Sequence, residues 1–172
     1  MESKACGRRE IIERRVLSGE ELQEACKKLK ESGKKIVLMS GCFDLLHVGH
    51  LDAVCDASEY GSLIVGINSD IFVKKLKGEN RPIRDEKERA SLMAGFSFVD
   101  YVTIFDDDYD LIESVRPDYY IASMTSHVRI WKDEKRVALL KEIGAKIIEF
   151  GPEKRNSTTR IIKIILNVDV EI

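Results

Sequence analysis

The chain has 172 residues, 44% of them apolar, which is enough for one domain with a sizeable hydrophobic core. Its 28 basic and 30 acidic residues leave a net charge of -2, and this balance argues against a dedicated nucleic-acid or anionic-membrane binder. No segment approaches the roughly 20 apolar residues of a membrane span, the N-terminus is charged, and the four cysteines lack CxxC spacing, so we expect a cytoplasmic protein with free thiols.

The first part of the chain reads as helical. Residues 1–18 are strongly charged and predict a frayed extension or a helix packed on the outside. Ser18 and Glu21 have the spacing of a capping box, and Gly33 is placed to end the helix that follows. We therefore assign 1–33 to an N-terminal helical extension and 34–172 to the main domain.

From residue 36 onward, strand and helix patterns alternate. Short apolar runs predict strands at 36–39, 62–68, 100–105, 118–121 and 145–150. Helical spacing falls at 51–58, 85–96, 109–115, 133–143 and 158–166, and the basic stretch 74–84 reads as a polar loop. Such alternation predicts a doubly wound, Rossmann-like α/β fold with a parallel five-stranded sheet. Ligands of these sheets bind beyond the carboxyl ends of the strands.

The turn after the first strand carries the strongest functional signal. Gly41 lets the chain turn, and Gly49 keeps the amides at the next helix start open. His47 and His50 are three residues apart, so both imidazoles can lie on one side of that first turn. A helix start offers free N–H groups to phosphate, and two imidazoles beside it could hold triphosphate oxygens. Metal ligation is an alternative, but no third ligand has a convincing spacing.

The turn resembles a known signature. Residues 41–50 read GCFDLLHVGH and are similar to the HxGH element of the cytidylyltransferase-like nucleotidyltransferase family. The likeness continues through Val65–Asp70, Lys77–Pro82, Glu86–Arg89 and Asn156–Thr159, so that it covers about residues 35–166. Within the family, the chain looks most like the adenylyltransferase domain of the heptose-phosphate enzymes of lipopolysaccharide synthesis. Glycerol-3-phosphate cytidylyltransferase and archaeal FAD synthetase are more distant relatives.

The resemblance implies a role for each residue that matches the family pattern, and it makes 34–172 a nucleotidyltransferase domain. The implied catalytic residues are His47, His50 and Lys77. The implied nucleotide-binding residues are Gly41, Cys42, Phe43, Gly49, Arg89, Ser157, Thr158 and Thr159. The implied substrate-binding residues are Asp44, Asn68, Asp70 and Arg155. No resident metal site is expected, and Mg²⁺ would arrive with the nucleotide.

Several of these residues also have a purely structural interpretation. Asp44 could cap the turn, and Arg89 could pair with Glu86 or Asp85. The segment 68–70 could begin a helix, and 157–159 could be a plain N-cap. Cys42 could be a small packing residue rather than a nucleophile.

The implied reaction is transfer of AMP from ATP to a small phosphorylated acceptor such as heptose 1-phosphate, with release of pyrophosphate by a homodimer. Open alternatives are a CTP-dependent enzyme for glycerol phosphate or a phospho-amino alcohol, an FMN adenylyltransferase, and a catalytically silent nucleotide-binding module. One segment departs from the pattern. Residues 122–127 read ASMTSH where relatives carry a KGGDY-like or GDDW-like element. His127, Arg129 and Trp131 could replace its contacts or only cover the pocket.

Overall fold

The computed structural model describes residues 7–123, 130–151 and 158–166, with the backbone alone at Arg8. The helices are α1 (Gly7–Glu13), α2 (Gly19–Glu31), α3 (Val48–Ser58), α4 (Asp70–Lys77), α5 (Glu86–Ala94), α6 (Asp108–Val115), α7 (Glu134–Glu142) and α8 (Thr158–Ile165). The strands are β1 (Ile36–Gly41), β2 (Ser62–Asn68), β3 (Tyr101–Phe105), β4 (Tyr119–Ser123) and β5 (Lys146–Phe150), and a 3₁₀ turn spans Ile130–Lys132. No helix in these ranges is long and apolar enough to cross a bilayer.

The five strands form one parallel sheet in the order β3-β2-β1-β4-β5. The predicted doubly wound fold is therefore confirmed, and each strand begins within one residue of its predicted start. Because β1 lies between β2 and β4, the chain reverses its direction of winding beside β1. A crevice opens at such a switch point, beyond the carboxyl ends of the strands, and this is where ligands of open α/β sheets bind.

Two hydrophobic cores cover the two faces of the sheet, and β1 feeds both of them. Ile36 and Leu38 point into the core formed with α2, α6 and α7. Val37 and Met39 point into the core formed with α3 and α5. This alternation is the period of two of a strand that is buried on both faces, and it explains why β1 reads as a continuous apolar run.

The N-terminal segment is joined to the sheet. Leu22, Cys26 and Leu29 of α2 are buried in the first core, so α2 covers the sheet as the later helices do. Val16 forms a parallel bridge with Val102, which places this stretch along the outer edge of β3. Ser18 donates its backbone N–H to the Glu21 carboxylate at 2.9 Å, as the predicted capping box requires. The predicted domain division at residue 33 falls two residues after the end of α2 at Glu31, and it stays a prediction.

The basic stretch that reads as a loop is in part a helix. Lys74, Lys75 and Lys77 lie on α4, so the loop prediction is wrong for these residues. The helix begins because Ser69 Oγ accepts the Phe72 N–H at 3.1 Å, and it ends at Gly78, whose φ is +92°. Val73 is its buried residue, and the apolar residues Ile71, Phe72, Val73 and Leu76 do give this helix an apolar side. The loop prediction followed the basic composition of 74–84 and overlooked that pattern. The loop itself is limited to 78–85.

Close packing around β2 yields a test of the core. A Cβ on Gly66 would lie 2.6 Å from Leu111 Cδ2 and 3.0 Å from Phe105 Cε1. We expect Gly66→Ala to lower the free energy of unfolding by about 1–3 kcal/mol, as overpacking of a filled interior does. Urea unfolding measures the loss. Gly19→Ala is the control, because a Cβ there meets nothing within 4 Å. Equal effects of the two substitutions would contradict the packing argument.

Candidate functional site

The turn between β1 and α3 lies at the carboxyl edge of the sheet, beside the switch point. It turns sharply at Phe43, which has a φ of +47° and a buried side chain. A Cβ on Gly41 would lie 3.1 Å from the Phe43 ring, so the glycine makes room for the folded-back aromatic ring. That ring lies 5.3 Å from the His50 imidazole, centroid to centroid. The apolar contact fixes the start of α3 against the turn.

The two histidines form a stacked pair at the start of α3. Their ring centroids are 3.8 Å apart and the rings are inclined by 23°. His50 Nδ1 accepts the backbone N–H of His47 at 3.4 Å, which assigns the proton of the neutral ring to Nε2. His47 Nδ1 is buried and has no hydrogen-bond partner among the described residues. A Cβ on Gly49 would lie 3.2 Å from the His47 ring, so this position must be small if the pair is to form.

Both imidazoles are neutral at pH 7. Burial, followed by the charges of His47 and Lys77, lowers the pKa of His50 to about 4. Burial also lowers the pKa of His47. The pair therefore offers N–H donors rather than cations in the uncomplexed protein. The charge of Lys77 is among the causes of the lowered pKa of His50, and Lys77 is half-buried whereas Lys74 and Lys75 are exposed. The structure thus brings His47 and His50 into contact, and Lys77, at the end of α4, acts on His50 through its charge.

A second helix start reaches the same turn. Thr158, the first residue of α8, donates its hydroxyl to the Leu45 carbonyl at 3.3 Å. The starts of α3 and α8 are thereby tied together, as expected for two helix ends that share one anion. Thr159 is exposed next to Thr158. Ser157 and Arg155, the other predicted residues of this region, lie outside the described residues.

Arg89 is fully buried, with no exposed surface. Its Nε donates to the Arg84 carbonyl at 3.0 Å, Nη1 donates to the Cys42 carbonyl at 2.6 Å, and Nη2 pairs with Asp70 at 2.6 Å. The expected direct contact with nucleotide is therefore corrected: the guanidinium is directed into the protein and supports the turn at Cys42. The pairing alternative is the one observed, although the partner is Asp70 rather than Glu86.

Asp44 is also buried, and its carboxylate accepts donors from one segment. Oδ1 accepts the backbone N–H groups of Ile83 at 2.8 Å and Arg84 at 3.1 Å. Oδ2 accepts Arg81 Nε at 2.6 Å and pairs with Nη2 at 2.5 Å. The capping alternative describes this carboxylate better than the predicted substrate contact does. Sequence reasoning missed Arg81, although its place in the matching segment Lys77–Pro82 was a usable signal.

Two other predicted substrate-binding residues also face inward. Asn68 is buried at the end of β2. Asp70 pairs with Arg89, and its backbone N–H donates to the Glu86 carboxylate at 2.8 Å, so it holds the start of α4. Both residues lie at the carboxyl edge of the sheet. The geometry makes them supports of that edge rather than ligand contacts.

A polar cluster on the other side of β1 was not predicted. The Ser40 hydroxyl is 3.3 Å from Asp108 Oδ1 and 3.2 Å from the Tyr120 hydroxyl. Arg136 Nη2 pairs with Asp108 at 2.8 Å and with Asp133 at 3.1 Å. Burial raises the pKa of Asp108. These residues come from four separate segments, so no local sequence pattern connects them.

The structure describes only the first two residues of the segment 122–127, which departs from the family pattern. Ala122 and Ser123 end β4, while 124–129, with His127 and Arg129, lies outside the described residues. Trp131 is 53% exposed and donates its indole N–H to Glu149 of β5. Trp131 therefore lies beside the edge strand β5. Its predicted role, as a replacement contact or as a cover of the pocket, stays a prediction.

Comparisons with known proteins agree with the geometry. Residues 38–164 match the family described as cytidylyltransferase-like. The chain is similar to two relatives named bifunctional protein HldE. It is 39% identical to the one from Wolinella succinogenes over 87% of this chain, and 42% identical to the one from Campylobacter concisus over 88% of this chain. The match covers 31% of each of these relatives, so the chain spans about a third of their length.

Two solved structures share the fold. A lipopolysaccharide core biosynthesis protein from Thermoplasma volcanium matches with a TM-score of 0.59 and 23% identity, over 72% of this chain and 100% of that one. A pantoate-beta-alanine ligase from Francisella tularensis, complexed with beta-gamma ATP and beta-alanine, matches with a TM-score of 0.53 and 15% identity, over 90% of this chain and 79% of that one. At these identities the likeness supports the architecture alone.

The neutral state of His50 is directly testable. We expect its imidazole to titrate near pH 4, and Lys77→Met to raise that pKa because a repelling charge is removed. NMR correlation spectra of the imidazole recorded against pH measure both values. Because the pKa of His50 in the folded state lies below the ordinary 6.5, the neutral ring contributes to the stability of the fold above pH 6.5. This contribution is lost as the pH falls toward 4. Titration near 6.5 in the folded protein would contradict the burial of this ring.

Proposed function

Because the chain belongs to the cytidylyltransferase-like family and is a nucleotidyltransferase, we propose that it transfers AMP from ATP to a sugar 1-phosphate such as heptose 1-phosphate. The stacked imidazoles of His47 and His50 at the start of α3, tied to the start of α8, carry this proposal. Their donors and the free amides converge where a triphosphate would lie. The resemblance to the heptose-phosphate adenylyltransferases supports the acceptor, together with the matches to the HldE relatives.

The reaction proceeds in one displacement. A phosphate oxygen of the acceptor attacks the α-phosphorus of ATP in line and forms a new P–O bond. The bond between the α-phosphorus and the bridging oxygen breaks, and pyrophosphate leaves with that electron pair. No residue has to form a covalent bond to the nucleotide. Catalysis then depends on holding the two phosphates in line and on stabilising the charge of the transition state.

The histidines act on that charge as neutral donors when the nucleotide arrives. His50 presents Nε2–H because its Nδ1 already accepts a backbone N–H. The Lys77 ammonium adds the positive charge that the neutral pair lacks. An anionic phosphate beside His50 favours the protonated ring, so nucleotide binding raises the pKa of His50 above its value of about 4 in the uncomplexed protein.

Magnesium is placed on the nucleotide in this proposal. The described residues contain no group of three or more His, Cys, Asp or Glu side chains that could hold a metal ion. Phosphate oxygens and water are the ligands that Mg²⁺ prefers, and together they can complete its coordination. When bound, the ion neutralises part of the phosphate charge, and Lys77 and the helix starts position the phosphates.

We also propose that the protein is a cytoplasmic homodimer. Light scattering on the purified protein measures its molar mass and so tests the dimer.

Replacing His50 tests the core of the mechanism. We expect His50→Ala to lower kcat by about 10²–10³-fold, the usual cost of losing one donor to transition-state charge. A continuous pyrophosphate assay measures kcat, and circular dichroism establishes that the variant is folded. Asp56→Ala on the same helix is the control, because this side chain is exposed. Turnover equal to the wild type in folded His50→Ala would remove the assignment.

The substrates need a separate test. Pyrophosphate release is measured with ATP and with CTP, each against heptose 1-phosphate, glycerol phosphate, a phospho-amino alcohol and FMN. We expect the highest kcat/KM with ATP and the sugar phosphate. Preference for CTP with glycerol phosphate or the amino alcohol, or for FMN with ATP, would replace the proposed substrate within the same family. ATP binding without pyrophosphate release from any pair would indicate a catalytically silent module.

A further inference from the structure

Lys77 lies at the corner between the end of α4 and an irregular segment. It is the last residue of α4, and Gly78 follows it with a φ of +92°. The segment 78–85 then crosses to α5 without regular structure. A lysine is a flexible point charge whose usefulness depends on where its backbone is held. Something must therefore fix this corner relative to the histidines.

The Asp44 carboxylate fixes the far side of that corner. We define the Asp44 clamp as Asp44, the Arg81 guanidinium and the backbone amides of Ile83 and Arg84. Three hydrogen bonds of 2.6 to 3.1 Å join these groups, and Arg81 Nη2 adds an ion pair with Asp44 at 2.5 Å. The Asp44 side chain has no exposed surface and that of Arg81 is 14% exposed. Because the pair is shielded from water, it resists opening far more than a surface ion pair does.

Arg89 fixes the near side. It joins the Cys42 carbonyl of the catalytic turn to Asp70 at the start of α4, and it also holds the Arg84 carbonyl. The stretch that carries Lys77 is therefore tied at both ends. Both sets of contacts end on the turn that precedes His47: Arg89 contacts the Cys42 carbonyl, and the segment 81–84 contacts the Asp44 carboxylate.

From this arrangement we infer that Asp44 is a positioning residue, which holds the 78–85 segment against the catalytic turn so that Lys77 stays beside His47 and His50. It acts through Lys77 and makes no contact with the acceptor. The inference rests on the proposed function for its kinetic consequence, but its structural content can be measured without turnover.

A double-mutant cycle separates positioning from direct binding. Asp44→Asn keeps the shape and one oxygen for the amides but loses the charge that pairs with Arg81. We expect Asp44→Asn to lower kcat about 10-fold or more with little change in KM for the acceptor. In the Lys77→Met background the same substitution should have almost no further effect. A rise in acceptor KM, or effects on kcat/KM that add in the double variant, would overturn the inference.

Titration of His50 by NMR gives a readout that needs no activity. His47 and Lys77 are the charged groups that act on this ring, and the Lys77 charge lowers its pKa. If Asp44→Asn releases Lys77, the pKa of His50 rises. Loss of the Asp44 charge alone would lower that pKa, so the two explanations differ in sign. Asp56→Asn removes the same charge from an exposed site of α3 and should leave the pKa unchanged.

A second variant guards against misfolding. Arg81→Lys keeps the positive charge but loses the two-point contact with Asp44, and it leaves Asp44 with its two amide donors. Because no charge is removed, a rise in the pKa of His50 in this variant reports release of Lys77. An unchanged or lowered pKa in both variants would overturn the inference. If the wild type released no pyrophosphate with any acceptor, the proposed function would fail, and the titration would still decide whether the clamp positions Lys77.

Discussion

The buried guanidinium of Arg89 is the interaction on which the site depends. A charge without access to water must be paired and hydrogen-bonded, and Arg89 meets that requirement with groups from three different segments. Two of these segments, at Cys42 and Asp70, follow neighbouring parallel strands. The need to satisfy one cation therefore brings the turns after β1 and β2 to a fixed separation. The turn after β1, which borders the crevice at the switch point, is thereby held in place.

Asp44 complements Arg89 with the opposite charge. The carboxylate lies in the turn and receives donors from the crossing segment, whereas the guanidinium lies on α5 and donates back to the turn. If either group moved, polar atoms of the turn after β1 and of the segment 81–84 would lose their partners. Rigidity of this kind suits the proposed single displacement, whose rate depends on the alignment of two bound phosphates.

The sequence predicted what local patterns encode. Apolar runs located β1 and β2, and the spacing of His47 and His50 located the catalytic turn. It could not show the burial of Arg89 or Asp44, because a charged residue in a helix or turn is normally solvent-exposed and only its distant partners make burial tolerable. The cluster of Ser40, Asp108, Tyr120 and Arg136 was missed because its members come from distant segments, and α4 was missed because basic composition outweighed its apolar pattern.

The neutrality of the histidine pair follows from the same packing. Two stacked imidazolium rings beside the Lys77 ammonium would repel one another in a site with restricted access to water, so the uncomplexed protein keeps both rings uncharged. Lys77, half-buried at the end of α4, adds the positive charge that the neutral rings lack. In the proposed reaction the phosphates of the nucleotide would supply the opposite charge. Donors that are held in place before the nucleotide binds would then stabilise the charge that shifts between the phosphates in the transition state.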